Sequence, residues 1–379
     1  MTTRTDTPAT RRIPLIRPTI DDAVKQRVLA VLDSGFLTEG AVTRDFERAV
    51  GRFVGAQHAI AVPSCTVGLE IALRAFGIGP GDEVIVPDYT YPATASVVAI
   101  VGALPVVVDV DPETMLIDCD ALEAAITPRT RAVLPVSLFG NPLDYARLDD
   151  IRARHGVRMI EDAACSLGAA QGGRRTGSAC DAAVFSFHPR KFITTGEGGM
   201  VTTSNPEMAA WMDAYKHFGL TAATPREGAT FASMGTNAKL SDILSAVGLA
   251  QMDRVDELLA RRQALAARYV ELLDGMPGVA LPRTTPGGTH SHQTFCVFIE
   301  RRDQVMTTMR AQGVEAQIGT YALHRQPAFG NPATCRLSGP MPGSSRAADR
   351  CLALPLFHDM TDDDQRHVAR TLAAAMRTA

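Results

Sequence analysis

The residue with the clearest chemical potential in this sequence is Lys191, which lies between a short apolar segment and a glycine-rich return. Residues 182–187 are apolar enough for an inner strand, Pro189 would end that strand, and glycines cluster in residues 196–199. Since lysines are mostly exposed, a solvated cation at a turn is the ordinary interpretation. If the lysine instead lies in a closed pocket, burial lowers the pKa of Lys191 and frees its amine to attack a carbonyl carbon.

A second group of candidates, Ser64, Cys65 and Thr66, follows a predicted strand over residues 58–63 and opens a predicted helix over residues 66–76. Backbone N–H groups at a helix start, together with the two hydroxyls, form an anion site that suits phosphate. The alternative is a simple N-cap, in which the serine hydroxyl only satisfies the first turn of the helix.

An acidic pair, Glu161 and Asp162, ends the predicted strand over residues 157–161. A carboxylate at the end of a buried strand needs a partner. One such partner is a pyridinium nitrogen, which an ionised Asp162 keeps protonated so that the ring can withdraw electrons. The alternatives are a helix N-cap or an ion pair with an arginine.

These three features meet if the strands are parallel, because ligands of an α/β sheet bind beyond the carboxyl ends of its strands. Pyridoxal phosphate (PLP) requires a phosphate site, an acid for its ring nitrogen and a lysine for its aldehyde. The combination therefore predicts a PLP site with Lys191 as the point of covalent attachment. Tyr91, beyond another strand, could stack on the ring, although an ordinary packed tyrosine also explains it.

Composition argues against several other classes of protein. The net charge of −3 gives no reason to expect nucleic acid, and no apolar run is long enough to predict a membrane span. Seven cysteines without a Cys-x-x-Cys pair favour a reducing cytoplasm over a disulfide framework or a zinc site. His290 and His292 form a His-x-His pair, for which a polar loop is the preferred interpretation, so we expect no metal.

The pattern of elements predicts an α/β fold. Seven nearly continuous apolar strands alternate with helices between residues 58 and 203, as expected for a mostly parallel sheet with both faces covered. A long helix with a possible break follows over about residues 240–273, and a smaller α+β unit comes after it. We expect a mobile tail over residues 1–15, a large PLP-binding domain over residues 16–255 and a small C-terminal domain over residues 256–379.

The sequence resembles the nucleotide-sugar aminotransferases of the DegT/StrS type, which have the fold type I of aspartate aminotransferase. The resemblance covers nearly the whole chain, and its most specific parts are Ser64-Cys-Thr66, Pro87-Asp-Tyr-Thr-Tyr-Pro92, Glu161-Asp-Ala-Ala164, Phe185-Ser-Phe-His-Pro-Arg-Lys191 and Gly235-Thr-Asn237. It implies a ping-pong, Schiff-base transfer of an amino group from an amino acid, L-glutamate in the first place, to a keto group of a nucleotide-linked keto-deoxysugar.

The resemblance also implies roles for residues around the cofactor. Lys191 matches the lysine that holds PLP covalently, Asp162 the partner of the pyridine nitrogen, and Tyr91 the aromatic residue stacked on the ring. Phosphate contacts are implied for Ser64, Cys65, Thr66, Ser186 and Asn237. Because the residue matching Asn237 reaches in from the neighbouring subunit, the resemblance implies a homodimer with shared active sites.

Two positions depart from the family pattern. Cys165 stands where the family often has glutamine near the phenolic oxygen of the cofactor, and a thiol is a weak hydrogen-bonding group. Leu167 stands where histidine is common, which leaves one polar group fewer near the pocket. Lys191 is retained, whereas relatives that remove a sugar hydroxyl have histidine there, so the resemblance favours transamination over dehydration.

Four basic residues are candidates for the substrate pocket: His188, Lys239, His324 and Arg325. The last two resemble a family segment at the sugar pocket, Lys239 could meet a diphosphate, and His188 is close to Lys191 in sequence. For each of them an exposed surface side chain is an alternative. The expected acceptor is a 4-keto-6-deoxy sugar nucleotide or its 3-keto isomer. An alternative acceptor is a keto-cyclitol or another natural-product ketone. An alternative function is that of a non-catalytic protein that keeps the fold for binding or regulation.

Overall fold

The computed structural model describes residues 11–221 and 228–378. Its helices are α1 Asp22–Ser34, α2 Ala41–Val54, α3 Cys65–Ala75, α4 Ala93–Ile100, α5 Cys119–Ala125, α6 Tyr145–His155, α7 Pro206–Lys216, α8 Asp242–Met252, α9 Val255–Leu273, α10 Arg302–Ala311, α11 Pro342–Arg350 and α12 Asp362–Thr378. Its strands are β1 His58–Val62, β2 Glu83–Pro87, β3 Tyr89–Thr90, β4 Leu104–Val108, β5 Thr130–Val133, β6 Arg158–Asp162, β7 Ala170–Gln171, β8 Arg174–Arg175, β9 Ala182–Ser186, β10 Gly199–Thr203, β11 Gly288–Thr289, β12 Phe295–Phe298, β13 Gln317–Ile318, β14 Tyr321–Ala322, β15 Arg336–Leu337 and β16 Cys351–Leu354.

The central sheet has eight strands in the order β1-β10-β9-β6-β5-β2-β4-β15. All seven strands expected from the sequence belong to it, and the eighth, β15, is a two-residue edge contributed from far along the chain. β10 runs antiparallel to both of its neighbours, whereas the other adjacent pairs are parallel. The α/β class and the mostly parallel sheet are therefore confirmed, and the count of seven strands is corrected to eight.

The topology brings several strand ends to one edge of this sheet. β1, β6 and β9 end there, and the antiparallel β10 begins there. β2 and β10 are buried along their whole length, because helices cover both faces of the sheet. Loops that leave this edge can therefore bring side chains from distant parts of the sequence into one place.

The expected break in the long helix lies between α8 and α9, at residues 253 and 254. Beyond α9 an antiparallel sheet in the order β12-β16-β13 packs with α10 and α12 around a separate apolar cluster. Contacts also cross the expected boundary at residue 256, since β14 pairs with β3 and β15 with β4. The division into two domains stays a prediction.

Most of the expected N-terminal tail, residues 1–10, lies outside the described residues. The described part of the tail is attached to the C-terminal unit: Ile13 is 2% exposed, and its N–H donates to Gly313 O at 2.9 Å. Arg11 forms an ion pair with Asp363 of α12. Residues 11–15 are therefore part of the packed structure. No helix within the described ranges is long and apolar enough to cross a membrane.

Candidate active site

Lys191 lies in the turn that follows β9, in a loop that returns into β10. Its N–H donates to His188 O at 2.8 Å, and Thr195 N–H donates to Phe187 O at 2.9 Å. Gly196 closes the return with a φ of +88°, a left-handed conformation that glycine adopts without strain. The predicted strand, turn and glycine-rich return are confirmed, and they put Lys191 at the sheet edge where β1 and β6 end.

Two buried glutamine side chains from remote segments hold this loop. Gln251 of α8 accepts from Thr194 N–H at 3.1 Å and donates to Thr194 O at 2.6 Å. Gln293 accepts from Phe192 N–H at 3.0 Å and donates to Arg190 O at 2.6 Å. Each amide thus satisfies one backbone donor and one backbone acceptor, so the loop is fixed without pairing to another strand.

Arg262 of α9 fixes one of these glutamines from behind. Its side chain is 1% exposed and donates to His292 O and Gln293 O, both at 2.6 Å, and to Leu356 O at 3.2 Å. Burial lowers the pKa of Arg262 to about 9, since these partners are neutral carbonyl oxygens. The guanidinium therefore connects α9 and the segment of Leu356 to the turn that carries Gln293.

The Lys191 amine lies against a thiol. Its Nζ is 3.1 Å from Cys165 Sγ, and Cys65 Sγ is 3.9 Å from Asp162 Oδ1. Since Asp162 and Cys165 belong to the same turn after β6, these contacts bring four of the predicted site residues into one pocket.

The charge on Lys191 differs from the expectation. Burial lowers the pKa of Lys191, but Cys165, Cys65 and the Asp162 carboxylate raise it, and the balance lies above the ordinary value. The expected lowering of this pKa is therefore wrong for this arrangement of residues. The pocket holds the amine as an ammonium ion, which must lose a proton before it can attack a carbonyl carbon.

Asp162 ends β6 and is 5% exposed. Its Oδ2 accepts from Thr94 Oγ1 at 2.8 Å, and its Oδ1 accepts from the backbone N–H of Ala164 at 3.2 Å. Burial raises the pKa of Asp162; these hydrogen bonds and the Lys191 charge lower it, but the net shift is upward. A buried carboxylate held by two neutral donors is further stabilised by a cation, such as a protonated ring nitrogen.

Glu161 points to the opposite face of β6, as the alternation of a strand requires. It is fully buried, accepts from Tyr145 OH at 3.0 Å, and also accepts from Ser137 Oγ. Burial raises the pKa of Glu161 to about 7, although these hydrogen bonds lower it. Glu161 is therefore part of the packed layer behind the pocket and not of the pocket itself.

Replacement of Glu161 with glutamine is expected to flatten the pH dependence of stability. The pKa of Glu161 is raised from 4.5 to about 7, so its contribution is complete below the unfolded value and is lost as the pH rises through the folded value. The free energy of unfolding of the wild type should then fall from about pH 5 to about pH 8 by more than that of Glu161→Gln. Urea unfolding at both pH values measures this difference. Glu271→Gln, at an exposed position, is the control, and an equal fall in all three proteins would contradict the assignment.

The N-terminus of α3 meets the start of β10 beside the pocket. Ser64 caps the helix by accepting from Val67 N–H at 3.2 Å, which is the simpler of the two interpretations of this segment. The cap leaves the N–H groups of Cys65 and Thr66 for another acceptor, such as a phosphate oxygen. A Cβ on Gly199 would lie 2.7 Å from Cys65 N, so only glycine allows β10 this close to the helix start.

Gly199→Ala is expected to lower the free energy of unfolding by about 1–3 kcal/mol. The atoms that the added Cβ would meet belong to the backbone, at 2.7 Å for Ser64 C and 2.9 Å for Phe185 O, and backbone yields less easily than a side chain. Urea unfolding measures the loss. In the control, Gly79→Ala, the added Cβ meets only Val101 O at 3.6 Å, and a similar loss in both variants would contradict the crowding at Gly199.

Three further predicted residues lie near this edge with partners of their own. Ser186 Oγ accepts from His188 N–H at 3.4 Å, and His188 Nδ1 accepts from Arg190 N–H at 3.2 Å, so both help to shape the turn before the lysine. Tyr91 is 65% exposed, and its ring centroid is 6.3 Å from that of Tyr321. An exposed ring is not the packed tyrosine of the alternative interpretation, and it is free to stack on a ligand.

Asn237 and Lys239 contact each other. Lys239 Nζ donates to Asn237 Oδ1 at 2.5 Å and lies 5.2 Å from the ring centroid of Phe218. Asn237 also forms an isolated bridge with His217. The Asn237 side chain is exposed, so its expected reach into a neighbouring subunit stays a prediction.

His324 and Arg325 have protein partners. His324 Nδ1 is 2.6 Å from the buried Asp88 Oδ2, and its Nε2 is 3.3 Å from Ser345 Oγ. Arg325 forms an ion pair with Asp349, which raises the pKa of Arg325. His324 therefore joins the C-terminal unit to Asp88, whereas Arg325 pairs within that unit. A contact with substrate stays a prediction for each.

The rings of His290 and His292 stack with centroids 4.0 Å apart, and His292 N–H donates to His290 Nδ1 at 2.8 Å. Burial lowers the pKa of His292 to about 4. The pair thus forms a turn contact.

One group within residues 11–221 and 228–378 has the spacing of metal ligands: Glu39, Asp213 and His217. The buried ammonium of Lys216 already lies 3.0 Å from Glu39 Oε1 and 3.3 Å from Asp213 Oδ1. A lysine therefore balances charge at this place.

Four residues that shape the pocket were not predicted from the sequence: Thr94, Gln251, Arg262 and Gln293. Thr94 lies two residues past the Pro87–Pro92 segment, and a search for hydroxyls at helix starts could have found it. The other three act through contacts between segments that are remote in sequence.

Comparison with known proteins finds relatives that match nearly the whole chain. Residues 18–373 match the DegT/DnrJ/EryC1/StrS aminotransferase family. A GDP-perosamine synthase of Caulobacter vibrioides is 37% identical over 374 residues, which is 96% of this chain and 97% of that protein.

Solved structures of sugar aminotransferases superpose closely. DesI, solved in the presence of its TDP-sugar product, is 36% identical with a TM-score of 0.88, over 98% of this chain and 95% of that one. The PMP-form of the putative sugar aminotransferase Spr1654 from Streptococcus pneumoniae is 27% identical with a TM-score of 0.90, over 97% of this chain and 99% of that one.

Proposed function

Since this chain belongs to the DegT/DnrJ/EryC1/StrS aminotransferase family and is a sugar aminotransferase, we propose that it transfers an amino group from L-glutamate to a nucleotide-linked keto-deoxysugar. The family is PLP-dependent, and we propose that Lys191 holds the cofactor covalently. The observation that carries the proposal is the meeting of an amine, a carboxylate and a helix start at one sheet edge.

The donor groups of the pocket fit PLP. The N–H groups of Cys65 and Thr66 are available to the phosphate, and Gly199 places no Cβ against the helix start. Asp162 supplies the negative charge that a protonated ring nitrogen needs. Lys191 Nζ lies in the same pocket and is the amine that would bond to the aldehyde. The exposed ring of Tyr91 is available as a stacking surface.

Bound PLP supplies an electron sink for carbanion chemistry. The chain's own part is to hold and move one proton. Lys191 Nζ, once freed from the cofactor, would take the proton from the donor's Cα and deliver it to the carbon of the cofactor's aldehyde group. The fixed loop keeps that amine in place during the transfer, because Gln251 and Gln293 hold the backbone on either side of it.

The donor and acceptor can be tested separately. Addition of L-glutamate alone to the loaded protein should convert the absorbance of the lysine-linked cofactor to that of its amine form and release one keto acid per site. The acceptor should then be found among GDP- and TDP-linked keto-deoxysugars, read by the mass change from ketone to amine. These nucleotides are the first choice because one relative is a GDP-perosamine synthase and another, DesI, was solved with its TDP-sugar product.

Two other functions make different predictions. Amination of a keto-cyclitol gives the same change with glutamate but no product from any keto-sugar nucleotide. A protein that binds the ligand without catalysis shows no spectral change with any amino donor. The latter result would end the proposed function.

We also propose that the protein works as a homodimer in the cytoplasm. Large apolar side chains are exposed near the segment that carries Asn237: Phe218, Phe231 and Met234 are 52%, 62% and 94% exposed. An exposed apolar patch of this kind is typical of a subunit interface. All seven cysteines lie in the described residues and none is in a disulfide, which supports a reducing compartment.

Mixing two inactive variants is expected to restore activity if Asn237 serves the neighbouring subunit. In a mixed dimer of Lys191→Ala and Asn237→Ala, one site contains both native residues and the other contains neither. Random reassortment should then recover about a quarter of the wild-type activity at limiting PLP. Recovery should not occur if Asn237 serves its own subunit, because every site in the mixture then lacks one of the two residues.

A further inference from the structure

The amino donor of the proposed reaction brings a carboxylate to the pocket. Every α-amino acid has one on the carbon that bears its amine, and L-glutamate has a second. Asp162 is itself an acid, and the start of α3 is the place for the cofactor's phosphate. A carboxylate that leaves water needs a cation or several hydrogen-bond donors. The donor therefore needs a basic group close to Lys191.

The four basic residues predicted for the pocket do not meet this need. Burial lowers the pKa of His188, so its ring is uncharged near neutral pH. His324 and Arg325 each lie against an aspartate. Lys239 is hydrogen-bonded to Asn237 and is the candidate for the acceptor's diphosphate. These four residues leave the donor's carboxylate without a cation.

Arg190 lies in the turn itself, immediately before the lysine. Lys191 N–H closes the turn onto His188 O, and Arg190 O accepts from the Gln293 amide at 2.6 Å, so the backbone of Arg190 is fixed. The residue is exposed, and its guanidinium donates to Gln317 Oε1 of β13 at 3.3 Å. No acid among the described residues pairs with this guanidinium, so most of its N–H donors are open to a ligand.

The segment that this guanidinium reaches lies beside the pocket of the lysine. A Cβ on Gly319, directly after β13, would lie 2.6 Å from Cys351 Sγ. Burial raises the pKa of Cys296, and the thiols of Cys351 and Cys165 raise it further, so these three sulfur atoms lie within electrostatic range of one another. Cys165 Sγ is in turn 3.1 Å from Lys191 Nζ. The guanidinium is therefore held between the lysine loop and the part of the C-terminal unit that packs next to the amine.

We propose that Arg190 binds a carboxylate of the amino donor, an assignment that rests on the proposed function. A planar guanidinium holds a carboxylate through two parallel N–H···O bonds, which fix the orientation of the donor as well as its position. The hydrogen bond to Gln317 limits the rotation of the guanidinium before the donor arrives. A keto-sugar nucleotide has no carboxylate, so Arg190 acts on the donor's half of the reaction and lets one pocket distinguish its two substrates.

The test compares Arg190→Gln with the wild type in the first half-reaction alone. Each protein, loaded with PLP, is mixed with L-glutamate in a stopped-flow instrument, and the absorbance of the cofactor is followed over a range of glutamate concentrations. The concentration that gives half of the maximal rate should rise about 10- to 100-fold, as for loss of a hydrogen bond to a charged group. The maximal rate should change much less, because Lys191 and Asp162 are intact.

Arg377→Gln is the matched control, since Arg377 is exposed in α12 of the C-terminal unit, and it should behave as the wild type does. An Arg190→Gln variant with an unchanged half-saturating concentration of glutamate would overturn the assignment of Arg190 alone. A wild type whose spectrum does not respond to glutamate would instead overturn the proposed function and this assignment with it.

Two further measurements identify the carboxylate and the half-reaction. L-alanine has no side-chain carboxylate, so Arg190→Gln should weaken its binding as much as that of glutamate if Arg190 holds the α-carboxylate. If Arg190 holds the side-chain carboxylate, the loss should be confined to glutamate. The half-saturating concentration of the keto-sugar nucleotide should stay as in the wild type. A rise there in place of the rise for the donor would assign the guanidinium to the acceptor's phosphates and contradict the proposal.

Discussion

Lys191→Ala should retain no cofactor after gel filtration and should lose turnover by at least about 10⁴-fold, since one side chain supplies both the covalent attachment and the proton transfer. The chain has four lysines, at positions 25, 191, 216 and 239, which makes the attachment easy to locate. Reduction of the loaded wild type with borohydride, followed by peptide mapping, should find the cofactor on residue 191 alone.

Lys25→Ala is the matched control. Lys25 is exposed, pairs with Asp22, and should carry no label in the wild type. Recovery of full activity in Lys191→Ala, or reduction of the cofactor onto another lysine, would contradict the assignment of the attachment point. Loss of activity in Lys191→Ala can be assigned to the missing amine only if the variant is folded, which circular dichroism tests.

Asp162→Asn is the second change for which we expect a large effect. Asparagine keeps the shape and can keep one of the hydrogen bonds from Thr94 and Ala164, but it removes the negative charge at the end of β6. Turnover should fall on the order of 10²–10³-fold, as when a preorganised electrostatic group is removed from an active site, while Lys191 still carries the cofactor. The measurements are steady-state rates and the absorbance of the bound cofactor.

Thr94→Val tests the hydrogen bond to Asp162 separately from the charge of Asp162. It removes the 2.8 Å hydrogen bond to Asp162 and leaves the carboxylate in place, so its loss of turnover should be much smaller than that of Asp162→Asn. If the asparagine variant kept wild-type turnover, Asp162 would not be the partner of the ring nitrogen.

Most of the fold could be predicted because its strands are local patterns. β2 is buried on both faces, so it is apolar at every position after Glu83 and recognisable from five residues. β15 has no such signal: it is two residues long and becomes a strand only because it lies beside β4. The helix break at residues 253 and 254 was only partly predictable. The helical pattern of the sequence continues through it, and only the residues that end α8 and begin α9 mark its position.

The site was predictable where chemistry needs a particular residue type at a strand end, as for Lys191 and Asp162. It was not predictable where the support comes from far away, as for Gln293 and Arg262, whose types are common and whose contacts depend on tertiary packing. The direction of the Lys191 pKa shift also depends on that packing, because Cys165, Cys65 and Asp162 together outweigh burial only when the chain places them beside the amine.

The hydrogen bonds of Gln293 to the loop that carries Lys191 have a consequence for biosynthesis. Gln293 follows Arg190 by 103 residues, and Arg262 donates to the carbonyl oxygens of both Gln293 and Leu356. At a translation rate of about 5–20 residues per second, Lys191 is synthesised roughly 5–20 s before Gln293. The loop that carries Lys191 therefore lacks these hydrogen bonds until residue 293 has been made, and we expect it to reach its final conformation only after the C-terminal segment has folded.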